Sequence, residues 1–220
     1  MELQSPDMHV TDGPILPPVP ALQARSRASH DRLVRAGLNL LAEEGPDAVT
    51  VGAVAARADL AVGTVYRRFG NKERLLTALQ FAFIQIVDTD IGHHVERGLG
   101  RSTDDLDRIR VAVEAISLTF ERHARLLGMF LLLGPTNAGV FAEGTRASKA
   151  ANERFGRSLD GVAIDHRDRA AALDMAFRMV YAACAHRVTH GEMHESDRPL
   201  PWRRFHRNLT VVIQRYLLGA

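Results

Sequence analysis

The chain has 220 residues, 46% of them apolar and 25% charged, which is the balance of an ordinary globular protein and excludes a wholly disordered chain, a collagen-like fibre or a disulfide scaffold. No unbroken apolar run, Met129 to Leu133 included, approaches the roughly 20 residues that cross a bilayer, and the acidic, proline-bearing N-terminus has no signal-peptide pattern. The net charge is only +2, and Cys184 is the sole cysteine, so no internal disulfide can form and a reducing cytoplasm is the expected setting.

Charge is unevenly spread. Residues 1–24 hold Glu2, Asp7 and Asp12, no basic residue and five of the nine prolines, and are expected to form a disordered tail. Residues 25–75 carry a net +3, a weak pointer to nucleic acid that a solvated arginine face would explain equally well. Residues 76–220 form the remaining, larger unit. Lysine is scarce: all the basic residues but Lys72 and Lys149 are arginine.

Apolar residues recur at three- and four-residue steps almost throughout, so the expected fold class is all-α. Leu33, Val34, Gly37, Leu38 and Leu41 form one stripe of a helix over 29–44, closed by Gly45-Pro46. Thr50 is placed as the N-cap of a short helix reaching Ala58, with Val51, Val54 and Ala55 inward. After a break at Asp59-Leu60, a second short helix spans 61–69. Asn71 then caps a longer helix running to about His93. Asp104-Asp105 opens a helix to about His123, where acidic residues suit the N-terminal dipole. Further helices are expected up to Gly134-Pro135, over 137–159, over 168–189 and over 202–218, with a polar loop at 194–199.

Three short helices with a tight break before the third suggest a helix-turn-helix, whose last member would lie in the major groove. The residues themselves are more specific than the spacing. Thr50-Val51, Val54-Ala55, Ala58-Asp59-Leu60, Gly63-Thr64-Val65-Tyr66, Phe69, Asn71-Lys72-Glu73 and Leu75-Leu76 together resemble the DNA-binding domain of TetR-family transcriptional regulators. The resemblance covers about residues 30–80. It implies an N-terminal three-helix DNA-binding domain, a larger helical ligand-binding and dimerisation domain, and no enzymatic activity.

The DNA-binding set that follows is Thr50, Gly63, Thr64, Tyr66, Arg67, Arg68 and Lys72. Gly63 lets the backbone approach DNA without a Cβ, and Thr64 suits a phosphate or a thymine methyl. Tyr66 would send its phenol to a phosphate while its ring packs on the domain. Lys72 matches the family's phosphate-binding lysine at a helix N-terminus. Of Arg67 and Arg68, one could read guanine and the other clamp a phosphate, or both could form a solvated face. Arg25 and Arg27 lie ahead of the expected first helix, where an arm could reach phosphate or minor groove. Two positions depart from the family pattern: Asp59 stands where glycine is usual in the turn, and Ala61 where serine commonly caps the helix.

For residues 81–220 the resemblance implies a small-molecule effector and a homodimer through the last two helices. Two apolar stripes, Leu173, Ala176, Phe177, Val180, Tyr181 and Cys184, and Leu209, Val212, Ile213, Tyr216 and Leu217, would build a four-helix interface, or would face their own core. Pocket candidates are Phe120, Met129, Phe130, Leu133, Phe141, Phe155 and Phe177, each of which could equally be plain core. His186, His190 and His194 have i, i+4, i+8 spacing, but Gly191 interrupts the helix and no third ligand is assured, so no metal or cofactor is expected. The function that follows is a DNA-binding regulator, a repressor released from a double-stranded operator by an effector. A ligand-independent DNA-binding or adaptor protein remains the alternative, and a small helical enzyme a weaker one, since no phosphate loop, nucleophile elbow or zinc-protease pair is present.

Overall fold

The structure, a computed structural model, describes residues 19–194 and 196–219. Within them run nine α-helices and no strand: α1 (Val19–Glu44), α2 (Val51–Arg57), α3 (Val62–Phe69), α4 (Lys72–Leu99), α5 (Asp105–Arg122), α6 (Ala124–Leu133), α7 (Ala138–Ser158), α8 (Arg169–His190) and α9 (Trp202–Leu218).

The two caps read from the sequence, Thr50 and Asn71, are in place, and Asp104 caps α5 as well. Thr50 Oγ1 accepts from Ala53 N at 3.1 Å, Asn71 Oδ1 from Arg74 N at 2.9 Å, and Asp104 Oδ1 from Asp107 N at 2.8 Å. Asn137 and Asp168 cap α7 and α8 in the same way. Each satisfies an amide that would otherwise lack an intrahelical partner. Ala61 offers no such bond to α3.

The first helix differs from expectation. It begins at Val19, so residues 19–24 are helical, Arg25 and Arg27 stand on a helix and not on an extended arm, and only residues 1–18 of the acidic tail fall outside the described part. The fourth helix runs on to Leu99. It is long and apolar enough to cross a membrane by length and composition, yet Leu75, Leu76, Leu79, Phe83 and Ile91 are buried against protein.

Two hydrophobic clusters organise the molecule. One gathers Leu33, Leu41, Val54, Val65, Phe69, Leu75 and Leu79 from α1–α4 together with Phe130 of α6 and Val140 of α7. The other joins α5, α8 and α9 through Ile109, Ile116, Phe177, Val180, Cys184, Ile213 and Leu217. The N-terminal bundle therefore has no core closed at residue 75, because α6 packs on α1 and supplies part of it. Arg125 Nη2 on α6 also donates to the Glu43 carbonyl at the end of α1, at 2.8 Å.

The two C-terminal stripes face inward for the most part. Ala176, Phe177, Val180, Cys184, Ile213 and Leu217 are buried within the chain. The apolar side chains that α8 and α9 leave outside are Met175, Val211 and Val212, the last 53% exposed. A helix has room for both faces, and periodicity alone does not say which one meets the chain's own core.

Candidate nucleic-acid interface and cavity

The turn between α2 and α3 is built on Asp59, whose φ of 51° is in the left-handed region. That conformation lets Leu60 N bond back to the Ala55 carbonyl at 3.0 Å, closing α2 and redirecting the chain. Val65 and Phe69 then anchor α3 in the core, while Val62, Gly63, Tyr66, Arg67 and Arg68 are exposed and Thr64 is half-buried. A Cβ at Gly63 would meet open space, so internal packing does not require glycine there.

Each expected DNA-contacting residue has a definite setting. Tyr66 is 55% exposed, so its ring projects from the domain and does not pack on it as expected. Arg67 leans on Thr64, Nη2 to Oγ1 at 3.4 Å, and stays exposed. Arg68 is turned back to α1, donating to Ser26 Oγ at 2.9 Å and to the Ser26 carbonyl at 3.3 Å. Its partner was invisible to sequence reasoning, because a contact across 42 residues depends on the early start of α1. The arginine left pointing outward is Arg67. Thr50 is exposed at the α2 N-terminus with its oxygen already accepting from Ala53, leaving its hydroxyl proton to donate.

Lys72 is the first residue of α4. The Asn71 side chain takes Arg74 N and the Asn71 carbonyl takes Leu75 N, which leaves the amides of Lys72 and Glu73 facing out from the positive end of a 28-residue dipole. The free amides and the dipole there favour an anion beside Lys72.

Farther along α4 lies a cavity of about 720 Å³. Its walls are mainly apolar, with Phe83, Ile84, Val87 and Ile91 from α4, Ile116 and Phe120 from α5, Leu127, Phe130 and Leu131 from α6, Phe141 from α7, and Phe177 and Tyr181 from α8. Of the seven residues expected to line a pocket, Phe120, Phe130, Phe141 and Phe177 do so. Met129 and Leu133 are not among its walls and pack against the N-terminal cluster, of which Phe130 is also a member. Phe155 is buried behind Phe177, ring centroids 5.8 Å apart. On a helix as apolar as α6 every face reads alike, so sequence could not divide them.

Polar groups punctuate this lining. Asp174 accepts from Asn152 Nδ2 and from Arg178 Nε, both at 2.7 Å, and those hydrogen bonds, Arg178 first, hold its carboxyl below the ordinary range. Burial pushes the Tyr181 phenol up, so it remains a neutral donor, against Ser148. Gln80 is buried with Oε1 unpartnered. Sequence reasoning passed over Gln80, although a polar residue three before Phe83 and four after Leu76 on an apolar stripe was a signal. An unpaired buried amide oxygen costs on the order of 1–3 kcal/mol, which a hydrogen-bond donor inside the cavity would remove.

Comparison with known proteins agrees with this geometry. Residues 33–79 match the family profile described as "Bacterial regulatory proteins, tetR family". The chain is 30% identical over 129 residues to the HTH-type transcriptional repressor KstR of Rhodococcus jostii (strain RHA1), a match spanning 59% of this chain and 55% of that protein. The chain thus aligns with about half the length of this curated relative. Among solved structures it resembles the fatty acid degradation regulator FadR from Bacillus halodurans, with a TM-score of 0.61, 19% identity, and 84% of this chain and 94% of that one covered. A transcriptional regulator from Rhodococcus sp. Rha1 gives a TM-score of 0.66 at 19% identity, covering 86% and 96%. At such identities the structural likeness concerns the fold.

Proposed function

We propose, for a chain that belongs to the TetR family of bacterial transcriptional regulators, that it is a homodimeric repressor whose grip on an operator is released when a small molecule fills the cavity. The observation that carries this reading is the course of α4. Its first residue, Lys72, stands at the anion position beside the recognition helix, and its Phe83, Ile84, Val87 and Ile91 line the cavity. One rigid element therefore belongs to both sites.

Helix α3 would enter the major groove. Arg67 is the side chain placed to read a base edge, Thr64 and Tyr66 flank it, and Lys72 and Thr50 hold phosphates on either side. Arg68 acts by fixing α1 to α3 through Ser26. Two copies would be joined through the outer faces of α8 and α9, where Met175, Val211 and Val212 are exposed, so that the recognition helices meet successive grooves about 34 Å apart.

The effector suited to the cavity has a large apolar body and a hydrogen-bond donor for Gln80. The sixth helix carries the second link: Phe130 lines the cavity and is also buried in the N-terminal cluster, against which Met129 and Leu133 pack. A ligand that needs more room between α4 and α6 than the operator-bound form allows would bind the two states unequally. Only that difference can shift the equilibrium. Repression itself is supported by the similarity to a repressor.

The test is selection of bound duplexes from a random pool by the purified chain. Enrichment of an inverted repeat with half-sites one helical turn apart, lost when an apolar donor-bearing ligand is added, is the expected result. Failure to enrich any sequence would refute the DNA-binding role, and enrichment indifferent to every cavity-filling ligand would refute release.

A further inference from the structure

A separate cluster lies where α8 stops. His186 and His190 are one turn apart on the helix, their rings stacked with centroids 4.3 Å apart and planes inclined by 16°. Gly191, with φ 87°, turns the chain at that point. It does not disperse the histidines. The turn folds His194 back so that its ring lies 4.7 Å from that of His190 and 5.5 Å from that of His186. One ring nitrogen from each histidine can be chosen so that all three lie within 4.8 Å of one another. The third ligand, the missing element in the sequence, is supplied by the turn.

We infer that His186, His190 and His194 form a site for a borderline divalent transition metal, zinc, cobalt or nickel, which fastens the α8–α9 loop to the end of α8. Imidazole is the ligand these ions prefer, and three imidazoles with an open fourth position are a recurrent zinc arrangement. Ligands about 2.05 Å from a tetrahedral ion stand roughly 3.3 Å from each other, so the nitrogens must close in by about 1.5 Å at most. All three side chains are exposed and can make that rotation without disturbing the core.

Two further features favour a cation here. The site is at the C-terminal end of a 22-residue helix, where the dipole presents negative charge. His190 Nδ1 lies 2.7 Å from the Thr189 hydroxyl and 3.2 Å from the His186 carbonyl, which occupies that nitrogen and directs Nε2 outward. Metal-binding histidines are oriented by just such a bond through the second ring nitrogen.

The consequence concerns the loop that joins the last two helices. It is already tied once, since Arg187 bonds Glu192 at 3.0 Å and lies over Trp202 at 4.4 Å from the ring centroid. A metal through His194 adds a second tie and restricts residues 191–201 as they lead into α9.

The experiment uses the full chain without a polyhistidine tag. Titration with Co²⁺, followed by visible absorption, and competition with Zn²⁺ should give one ion per chain and the intense bands of a tetrahedral site. His194→Ala should weaken binding at least ~10-fold, the lower end of what even an outer-shell loss costs. His93→Ala, on α4, should leave affinity unchanged. Amide exchange of residues 191–197 should slow with metal in the native chain and not in His194→Ala. No cobalt bands, or equal affinity in native and His194→Ala chains, would overturn the site. Binding of several ions per chain, diminished as much by His93→Ala as by His194→Ala, would reduce it to general surface adhesion and overturn it too.

Discussion

Gly128→Ala is a sensitive probe of the contact between α6 and α8. An ideal Cβ at Gly128 would fall 2.6 Å from the Val188 carbonyl oxygen and 3.4 Å from its carbon. Ordinary carbon–oxygen contact begins near ~3.3 Å, so the two helices must part by about 0.7 Å, and a backbone carbonyl cannot swing aside as a side chain would. Overpacking of this kind costs roughly 1–3 kcal/mol, against up to ~1 kcal/mol gained because alanine favours helix over glycine. The net expectation is about 1–2 kcal/mol of destabilisation, or a Tm lower by about 2–8 °C for a chain of this size. Thermal unfolding at fixed protein concentration, with Gly156→Ala as the comparison, tests it. A Cβ at Gly156 meets nothing within 4 Å, so that variant should be unchanged or more stable by up to ~1 kcal/mol. A Gly128→Ala chain that melts at or above the native temperature would refute the close approach. Because α6 touches both the cavity and the N-terminal cluster, the forced shift should also alter coupling between ligand and DNA.

Asp59→Gly should stabilise the chain by about 0.5–1 kcal/mol, since φ 51° costs an L-residue more than it costs glycine; a lower urea midpoint would mean that the aspartate side chain holds the turn. Burial holds the His94 imidazole below the ordinary histidine range despite Glu114 nearby. The unfolded chain therefore takes up this proton first, and the stability His94 contributes is complete above about pH 6.5 and lost as pH falls from there through its folded value. His94→Gln should flatten that decline in urea midpoints between pH 7.5 and 5.5, and an unchanged slope would contradict the assignment. Cys184 is fully buried, its thiol pushed up to about 12, so Ellman's reagent at pH 8 should modify it only on unfolding; complete reaction within the mixing time would place it elsewhere.

Apart from α1, which begins at Val19 and not at 29, the helix starts marked by a short polar residue were legible in the sequence because local chemistry sets them. Thr50, Asn71, Asp104, Asn137 and Asp168 all cap where a short polar side chain precedes an apolar run. Asp59 was legible as a strained substitute for glycine. Illegible features depend on contacts far apart in the chain. Arg68 is bound to Ser26 across 42 residues, so its exposure on α3 could not reveal that it braces α1. Helix α6 is apolar all round, and only its neighbours decide that Phe130 reaches the cavity while Met129 and Leu133 pack on the N-terminal cluster alone. The stripes of α8 and α9 turned toward their own core for the same reason. Gly191 misled in the other direction: it ends α8, and its positive φ is also what returns His194 to the other two histidines.

On the proposed reading, α3 and the start of α4 grip DNA through Arg67 and Lys72. Fluorescence anisotropy on the selected duplex and on an unrelated one, from 50 to 200 mM salt, tests it most directly. Lys72→Ala should weaken binding to both duplexes alike and lower the salt slope by ~0.9 per protomer, about 2 for a dimer. Arg67→Ala should instead lose discrimination, about 1–3 kcal/mol per half-site, while leaving binding to the unrelated duplex nearly as it was. Native affinity, salt slope and selectivity in both variants would mean that neither residue holds DNA.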